Sequence, residues 1–268
     1  MTDVAHALAV AIDAASAGAE VASARFGGSP EARQKRDGSW VSEADLEAEA
    51  VIRAHLAAAF PEHNILGEEE GLRSASGGEP VDGAPMWVVD PIDGTHNYLS
   101  GIPIWATLVA LREGGRSVVG VCSAPALGEL YDAATGLGAR LNRDAIHVDP
   151  LEDLSAATFV FGGADAFVAG PHRAAFQALA RRCRRSRGFG DFWGHMLVAR
   201  GSAHVMLEAQ LNEWDVAALQ PIVAEAGGRV THLGGTEWAE KGSCLTTNGA
   251  LHDEVVRLGA AALSGASG

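Results

Sequence analysis

The chain has 268 residues, 47% apolar and 20% charged, with 20 Lys and Arg against 34 Asp and Glu for a formal net charge of −14. That length holds one large domain or two subdomains with a sizeable core, and the composition excludes a disordered chain. The acidic excess argues against general binding to nucleic acid or anionic membranes, which needs a basic face, although a bound metal ion can invert the potential locally.

Aliphatic residues at helical spacing predict a long, Ala-rich helix from Val4 to about Phe26, closed by Gly27-Gly28. A polar connection over Glu31 to Trp40 leads to a second helix, capped by Ser42 and ended by Phe60-Pro61. Asn64 to Gly67 reads as a short strand delivering Glu68-Glu69-Glu70, Ser74 to Gly83 as a loop, and Trp87-Val88-Val89 as a buried strand. Strands follow at Trp105 to Leu111, Ser117 to Ser123 and Leu130 to Asp132, with Gly114-Gly115 as a hairpin turn. The pattern restarts after Asp149-Pro150, so residues 1–150 and 151–268 form two α/β subdomains. The second contains a strand at Thr158 to Phe161, helices at His172 to Arg185 and Phe192 to Arg200, and a strand at Ala203 to Glu208. A helix from Glu213 to Ala226, strands at Arg229 to His232 and Leu245 to Thr247, and a helix from Leu251 to Leu263 complete it. Blocks of strands and helices of this kind predict mixed α/β sheets sandwiched by helices rather than a parallel doubly wound sheet.

Cys122, Cys183 and Cys244 are too few and too scattered for a disulfide framework, which suits a reduced, cytoplasmic setting. The start, Met1-Thr2-Asp3-Val4, lacks a basic leader, and no apolar run approaches the roughly 18 residues of a membrane span. A soluble, unexported protein is expected.

The segment Trp87 to Thr95 carries the strongest chemical signal. A buried strand ends in Asp90 and Asp93, separated by a rigid proline and followed by Gly94 and Thr95. Pro91 restricts the turn so that both carboxylates and the Ile92 carbonyl can converge on a cation, while the Gly94 and Thr95 N–H groups can face an anion. The same residues also make an ordinary strand-exit turn. Glu68-Glu69-Glu70 at another strand end and Asp215 at a helix start are further oxygen donors, although an acidic run is often solvated and such an Asp is often a cap. With no His or Cys at ligand spacing, the donor set favours a hard cation such as Mg2+ over Zn2+. His-Glu-x-x-His, a nucleophile elbow, Gly-x-Gly-x-x-Gly and a Walker segment are all absent from the sequence.

Gly67-Glu68-Glu69, Trp87-x-x-Asp90-Pro91-Ile92-Asp93-Gly94-Thr95, Trp214-Asp215-Val216-Ala217-Ala218 and Glu225-Ala226-Gly227-Gly228 together resemble the inositol monophosphatase family, in order and over nearly the whole chain. The resemblance implies a layered α/β/α/β/α sandwich of the inositol monophosphatase and fructose-1,6-bisphosphatase type, two or three Mg2+ per site, and a homodimer acting on a small phosphate monoester. By the same resemblance Glu68, Asp90, the Ile92 carbonyl, Asp93 and Asp215 ligate metal, and Gly94 and Thr95 bind phosphate. Thr95 paired with Asp45 then orients the attacking water.

Gly101 to Leu108, Ser123 to Leu127 and Gly188 to Phe192 are similar to the histidinol-phosphatase branch known from actinobacteria, which implies hydrolysis of L-histidinol phosphate. Inositol 1-phosphate or another cyclitol or sugar phosphate is the alternative substrate; a non-catalytic metal- or phosphate-binding regulator is the alternative from another class. Arg187, Asp191 and Glu208 are placed near the leaving group, although Arg187 also suits a solvated edge and Glu208 a plain strand end. Asp191 stands where inositol phosphatases carry a small or hydroxyl residue, and suggests an anionic pocket for a cationic substrate. His96 departs from the family's Lys or Thr, and Trp40, near Lys35 and Arg36, falls in the loop over the site.

Overall fold

Asp3 starts the first helix, α1 (Val4–Arg25), by accepting the N–H groups of Ala5 and His6 on its carboxylate. The computed structural model describes residues 2–28, 32–35 and 40–265. Ala7, Leu8, Ala11, Ala14, Ala15, Gly18, Ala19 and Ala22 form the buried stripe of α1. A Cβ at Gly18 would lie 2.6 Å from Ile52, so this glycine lets α1 approach the second helix closely. By length and mean hydropathy, 1.3 over its most apolar window, α1 could cross a membrane, which corrects the expectation that no run comes close. Its small-residue face is used instead in the protein core, against the second helix and the strands beneath it.

The polar stretch before Ser42 contains a hairpin that the sequence did not reveal, β1 (Ala32–Gln34) with β2 (Trp40–Ser42). Next come α2 (Glu43–Ala59), β3 (Asn64–Gly67), β4 (Gly71–Ser74), β5 (Met86–Asp93) and a short α3 (Thr95–Leu99). The first half closes with β6 (Ala106–Glu113), β7 (Arg116–Ala124), β8 (Glu129–Ala134), β9 (Gly138–Leu141) and β10 (Asp144–Ala145). Gly114 and Gly115, at φ +59° and +83°, make the turn between β6 and β7, as expected for a hairpin whose two central residues both need positive φ.

The second half contains β11 (Thr158–Phe161), α4 (Ala164–Ala169), α5 (Arg173–Arg182), β12 (Arg185–Gly188) and α6 (Asp191–Ala199). It continues through β13 (Val205–Asn212), α7 (Glu213–Val216), α8 (Leu219–Glu225), β14 (Arg229–Thr231), β15 (Lys241–Thr247) and α9 (His252–Gly265). The single helix expected over 213–226 is broken in two at Ala217-Ala218. Pro221 has no N–H to donate to the Ala217 carbonyl, which interrupts the ladder at that point.

The strands make an eight-stranded sheet in the order β10-β9-β8-β7-β6-β5-β3-β4 and a five-stranded sheet in the order β12-β11-β13-β15-β14, both mixed. Side-chain alternation explains how the layers stack. Trp87, Val89, Val109 and Leu111 face α1 and α2, while Val88, Leu108 and Ala110 face Phe192 and Met196 of α6 and Ile222 and Val223 of α8. In the other sheet Val160 and Met206 face α6, and Phe159, Val205 and Leu207 face Leu179 of α5 and Val255 of α9. Helices, sheet, helices, sheet, helices is therefore the layer order, as the resemblance implied.

Candidate active site

Three chain turns bring carboxylates to one cavity of about 410 Å3, lined by Trp40, Glu68, Asp90, Ile92, Asp93, Gly94, Thr95, His96, Asp191, Asn212 and Asp215 among others. A larger cavity of about 610 Å3 lies elsewhere, between Arg116, Gln220 and Trp238, and gathers no comparable carboxylate cluster. The first turn is Glu68-Glu69-Glu70 between β3 and β4, where Glu68 N–H is held by the Val89 carbonyl of β5 at 3.2 Å. Lys35 reaches into it and donates to Glu68 at 2.9 Å and Glu69 at 2.6 Å. Burial alone would lower the Lys35 pKa, but the bonds to Glu69 and Glu68 outweigh it and hold the ammonium charged.

The second turn is the end of β5, where the pairing with β6 is irregular between Asp90 and Asp93. Asp90 accepts the Ile92 N–H at 3.0 Å, and Asp93 accepts the Phe192 N–H at 2.8 Å. The third is the start of α7, fixed to β6 by the Arg112–Glu213 ion pair. There Asp215 accepts the Asn212 N–H at 2.6 Å in a capping box.

Gly94 sits at φ +80°, and a Cβ on it would lie 2.9 Å from the Ile104 carbonyl, so only glycine fits between β5 and α3. The first-turn N–H groups that follow have no acceptor within their own helix. Asp45 is fully buried, and one of its oxygens accepts both the N–H and the hydroxyl of Ser42, at 2.8 and 2.7 Å. Its other oxygen has no hydrogen-bond partner among the described residues. The expected Asp45–Thr95 pair is not formed: the Thr95 hydroxyl turns back three residues and donates to the Ile92 carbonyl at 3.0 Å.

Of the three residues expected near the leaving group, only Asp191 lies on the cavity wall. It has φ +55°, a left-handed conformation that Asp tolerates better than most residues, and its carboxylate accepts the Asn97 amide at 2.7 Å. Glu208 sits behind it, 8% exposed, accepting the Asp191 N–H at 3.2 Å. A Cβ at Gly162 would overlap that carboxylate, so Glu208 is packed into the wall rather than lining it. Arg187 is on β12, at the edge of its sheet, exposed, and donates to the Ser186 carbonyl. Trp40 begins β2 on the cavity wall, and Arg36 lies outside the described residues.

Carboxylate oxygens of Asp90, Asp93 and Asp215 lie within 4.8 Å of one another. Among the described residues no Lys or Arg pairs with any of these three. Burial raises Asp90 and Asp93 well above the usual carboxylate range, reinforced by Glu68 and Asp93 at Asp90 and by Asp191 and Asp215 at Asp93. Burial also pushes Asp215 up to about 7, Asp191 and Asp45 to about 6, and Glu208 to about 8. Buried, all-oxygen and short of positive charge, the donor set fits a hard divalent cation.

The family model described as the inositol monophosphatase family matches residues 3–262. The chain belongs to the inositol monophosphatase family. It is 42% identical over 231 residues to a histidinol-phosphatase of Streptomyces coelicolor, covering 83% of this chain and 84% of that protein. A histidinol-phosphatase of Mycobacterium tuberculosis is 39% identical over 227 residues, covering 83% and 85%. Among solved structures, an inositol monophosphatase from Anabaena superposes with a TM-score of 0.83 at 31% identity, over 96% of each chain. This member of the family is a phosphomonoester hydrolase, of a family that is in general Mg2+-dependent.

Sequence reasoning did not find Glu49, Asn97 or Asn212. Asn212 left a signal, since Asn212 and Asp215 repeat the cap spacing of Ser42 and Asp45.

Proposed function

We propose that the chain hydrolyses L-histidinol phosphate to L-histidinol and phosphate in the cytoplasm, with Mg2+ as cofactor. The observation that carries this choice is Asp191, a carboxylate on the cavity wall beside Gly94, where a leaving group bearing an ammonium would find its counter-charge. The two histidinol-phosphatase relatives support it, and the three buried, unpaired cysteines suit a reducing compartment.

Glu68, Asp90, Asp93, Asp215 and the Ile92 carbonyl would hold the Mg2+ ions, which neutralise phosphate charge and acidify water. Gly94 and Thr95 bind the phosphate oxygens through backbone N–H groups at the start of α3. Asp45 keeps a buried, unpartnered Oδ1 and a carboxyl near 6, so it can accept a proton from the attacking water close to neutral pH. To relay that proton, the Thr95 hydroxyl must leave the Ile92 carbonyl and turn to Asp45. Water attacks phosphorus opposite the ester oxygen, the P–O bond to the alcohol breaks, and the alkoxide takes a proton from a solvent water as L-histidinol leaves, Asp45 returning its own proton to solvent. Asp191, anionic above about pH 6, holds the ammonium of the leaving group. Purified protein should release phosphate from L-histidinol phosphate with Mg2+ and cease on chelation. Failure to release it, with other monoesters hydrolysed, refutes the substrate.

The raised carboxyls also predict a pH effect on stability. A buried acid with a raised pKa binds its proton more tightly folded than unfolded. Its stabilising contribution is therefore complete at low pH and lost as pH climbs through 6 to 7 for Asp45 and Asp215. Metal-free protein should have a lower Tm at pH 8 than at pH 5.5, and saturating Mg2+ should raise Tm more at pH 8. Equal Mg2+-induced shifts at both pH values, read by thermal denaturation with and without chelator, would contradict the assignment.

A further inference from the structure

Behind the acidic turn lies a carboxylate–guanidinium pair that the chemistry above does not use. Glu49 is fully buried in α2, one helical turn after Asp45. Its Oε2 accepts the Glu69 N–H at 2.8 Å, and its Oε1 accepts the Glu70 N–H at 3.1 Å and Arg53 Nε at 2.8 Å. Arg53, four residues on, continues across the same hairpin: Nη2 donates to the Gly71 carbonyl at 2.6 Å and Nη1 to the Ile65 carbonyl at 3.4 Å. Two side chains of one helix thus hold four backbone groups between residues 65 and 71. Gly67 completes the fit, because a Cβ there would lie 2.0 Å from Glu49 Oε1 and 2.7 Å from Arg53 Nη2. An ion pair this deeply buried carries a desolvation penalty that apolar packing of α2 on β3 would not incur. What it supplies is acceptors and donors aimed at one turn, the turn that presents Glu68 to the cavity.

We propose that Glu49, held by Arg53, is a positioning residue for the metal site. It touches neither metal nor substrate; it fixes the backbone of the 68–70 turn so that Glu68 is pre-aimed beside Asp90. This rests on Glu68 being a metal ligand. Supports one step behind a ligand typically govern affinity about 10- to 100-fold.

The test uses the full-length protein with Glu49→Gln, which keeps the shape but loses the charge and one acceptor. Half-saturating Mg2+ should rise about tenfold, while kcat at saturating Mg2+ stays within about threefold. Mn2+ binding followed by electron paramagnetic resonance, without substrate, should weaken by the same factor. Arg53→Lys, which keeps a charge but loses the fork to the two carbonyls, should give a smaller rise. Glu47→Gln, on the exposed face of α2 and paired among the described residues with Arg25, should change neither quantity.

Unchanged Mn2+ and Mg2+ affinity in folded Glu49→Gln, with only Tm lowered, would overturn the proposal, as would an equal loss in Glu47→Gln. If Glu49→Gln does not fold, Arg53→Lys decides by the same two affinities, and no change there overturns it. Wild-type protein that neither binds Mn2+ nor responds to Mg2+ would instead refute the metal reading of Glu68.

Discussion

Asp93→Asn should lower kcat by at least about 10³-fold at saturating Mg2+ while leaving the fold intact, because charge stabilisation at a metal-dependent site amounts to several kcal/mol and each 1.4 kcal/mol is about tenfold. The substitution separates charge from architecture. Asp93 is 7% exposed, and its Oδ2 takes the Phe192 N–H that joins the end of β5 to the first turn of α6. An asparagine carbonyl can keep that bond. What disappears is the charge of Asp93 itself, which burial opposes and which the charges of Asp191 and Asp215 repel. Metal-free Asp93→Asn should therefore be no less stable than wild type, and slightly more stable at pH 8. Mg2+ should raise its Tm less than that of wild type. Phosphate release and thermal denaturation on the same preparations check both halves. Activity above about a tenth of wild type would remove Asp93 from the metal site.

Asp191→Asn should divide the two candidate substrate classes. A buried charge pair loses roughly 2–3 kcal/mol when one partner is neutralised, so kcat/KM for L-histidinol phosphate should fall by about 30- to 150-fold. For inositol 1-phosphate, whose leaving group has no cation, the change should stay within about threefold. Asparagine tolerates the positive φ of this position as aspartate does, and its side-chain oxygen can still accept the Asn97 amide. The charge alone is tested. Glu208 does not substitute for it, since it is packed against Gly162 behind the wall, and burial, the largest cause of its raised pKa, persists in the variant. Equal losses on both substrates would mean that Asp191 supports the site without choosing the leaving group.

Layer order was legible because the strands of the core alternate cleanly. Trp87, Val88 and Val89 point to opposite sides of one sheet, and Phe159 and Val160 to opposite sides of the other. The carboxylate cluster was legible because Asp90 and Asp93 flank a proline at a strand end. Elsewhere the local signal was missing or misleading. Arg185–Gly188 shows no apolar alternation, since β12 is an edge strand, and so the sequence predicts no strand there, only a helix ending at about Arg185. Arg187, on that edge strand, is exposed and does not line the cavity. The β1–β2 hairpin has strands of only three residues, too short to show a period.

Glu49 looks in sequence like any glutamate of an exposed helical face. Only tertiary contact with a turn some twenty residues later reveals what it holds. Thr95 lines the cavity, and its hydroxyl bonds the Ile92 carbonyl rather than Asp45, a choice that depends on local backbone geometry.

On the proposed function, the acidic wall of this phosphomonoesterase selects a cationic leaving group. The most direct measurement is kcat/KM of the wild-type protein for L-histidinol phosphate and for inositol 1-phosphate, at one pH and one saturating Mg2+ concentration. A preference of about 100-fold or more for L-histidinol phosphate is predicted, since a site built to pair a charged group discriminates strongly against a ligand that lacks it. A preference for inositol 1-phosphate would contradict the claim.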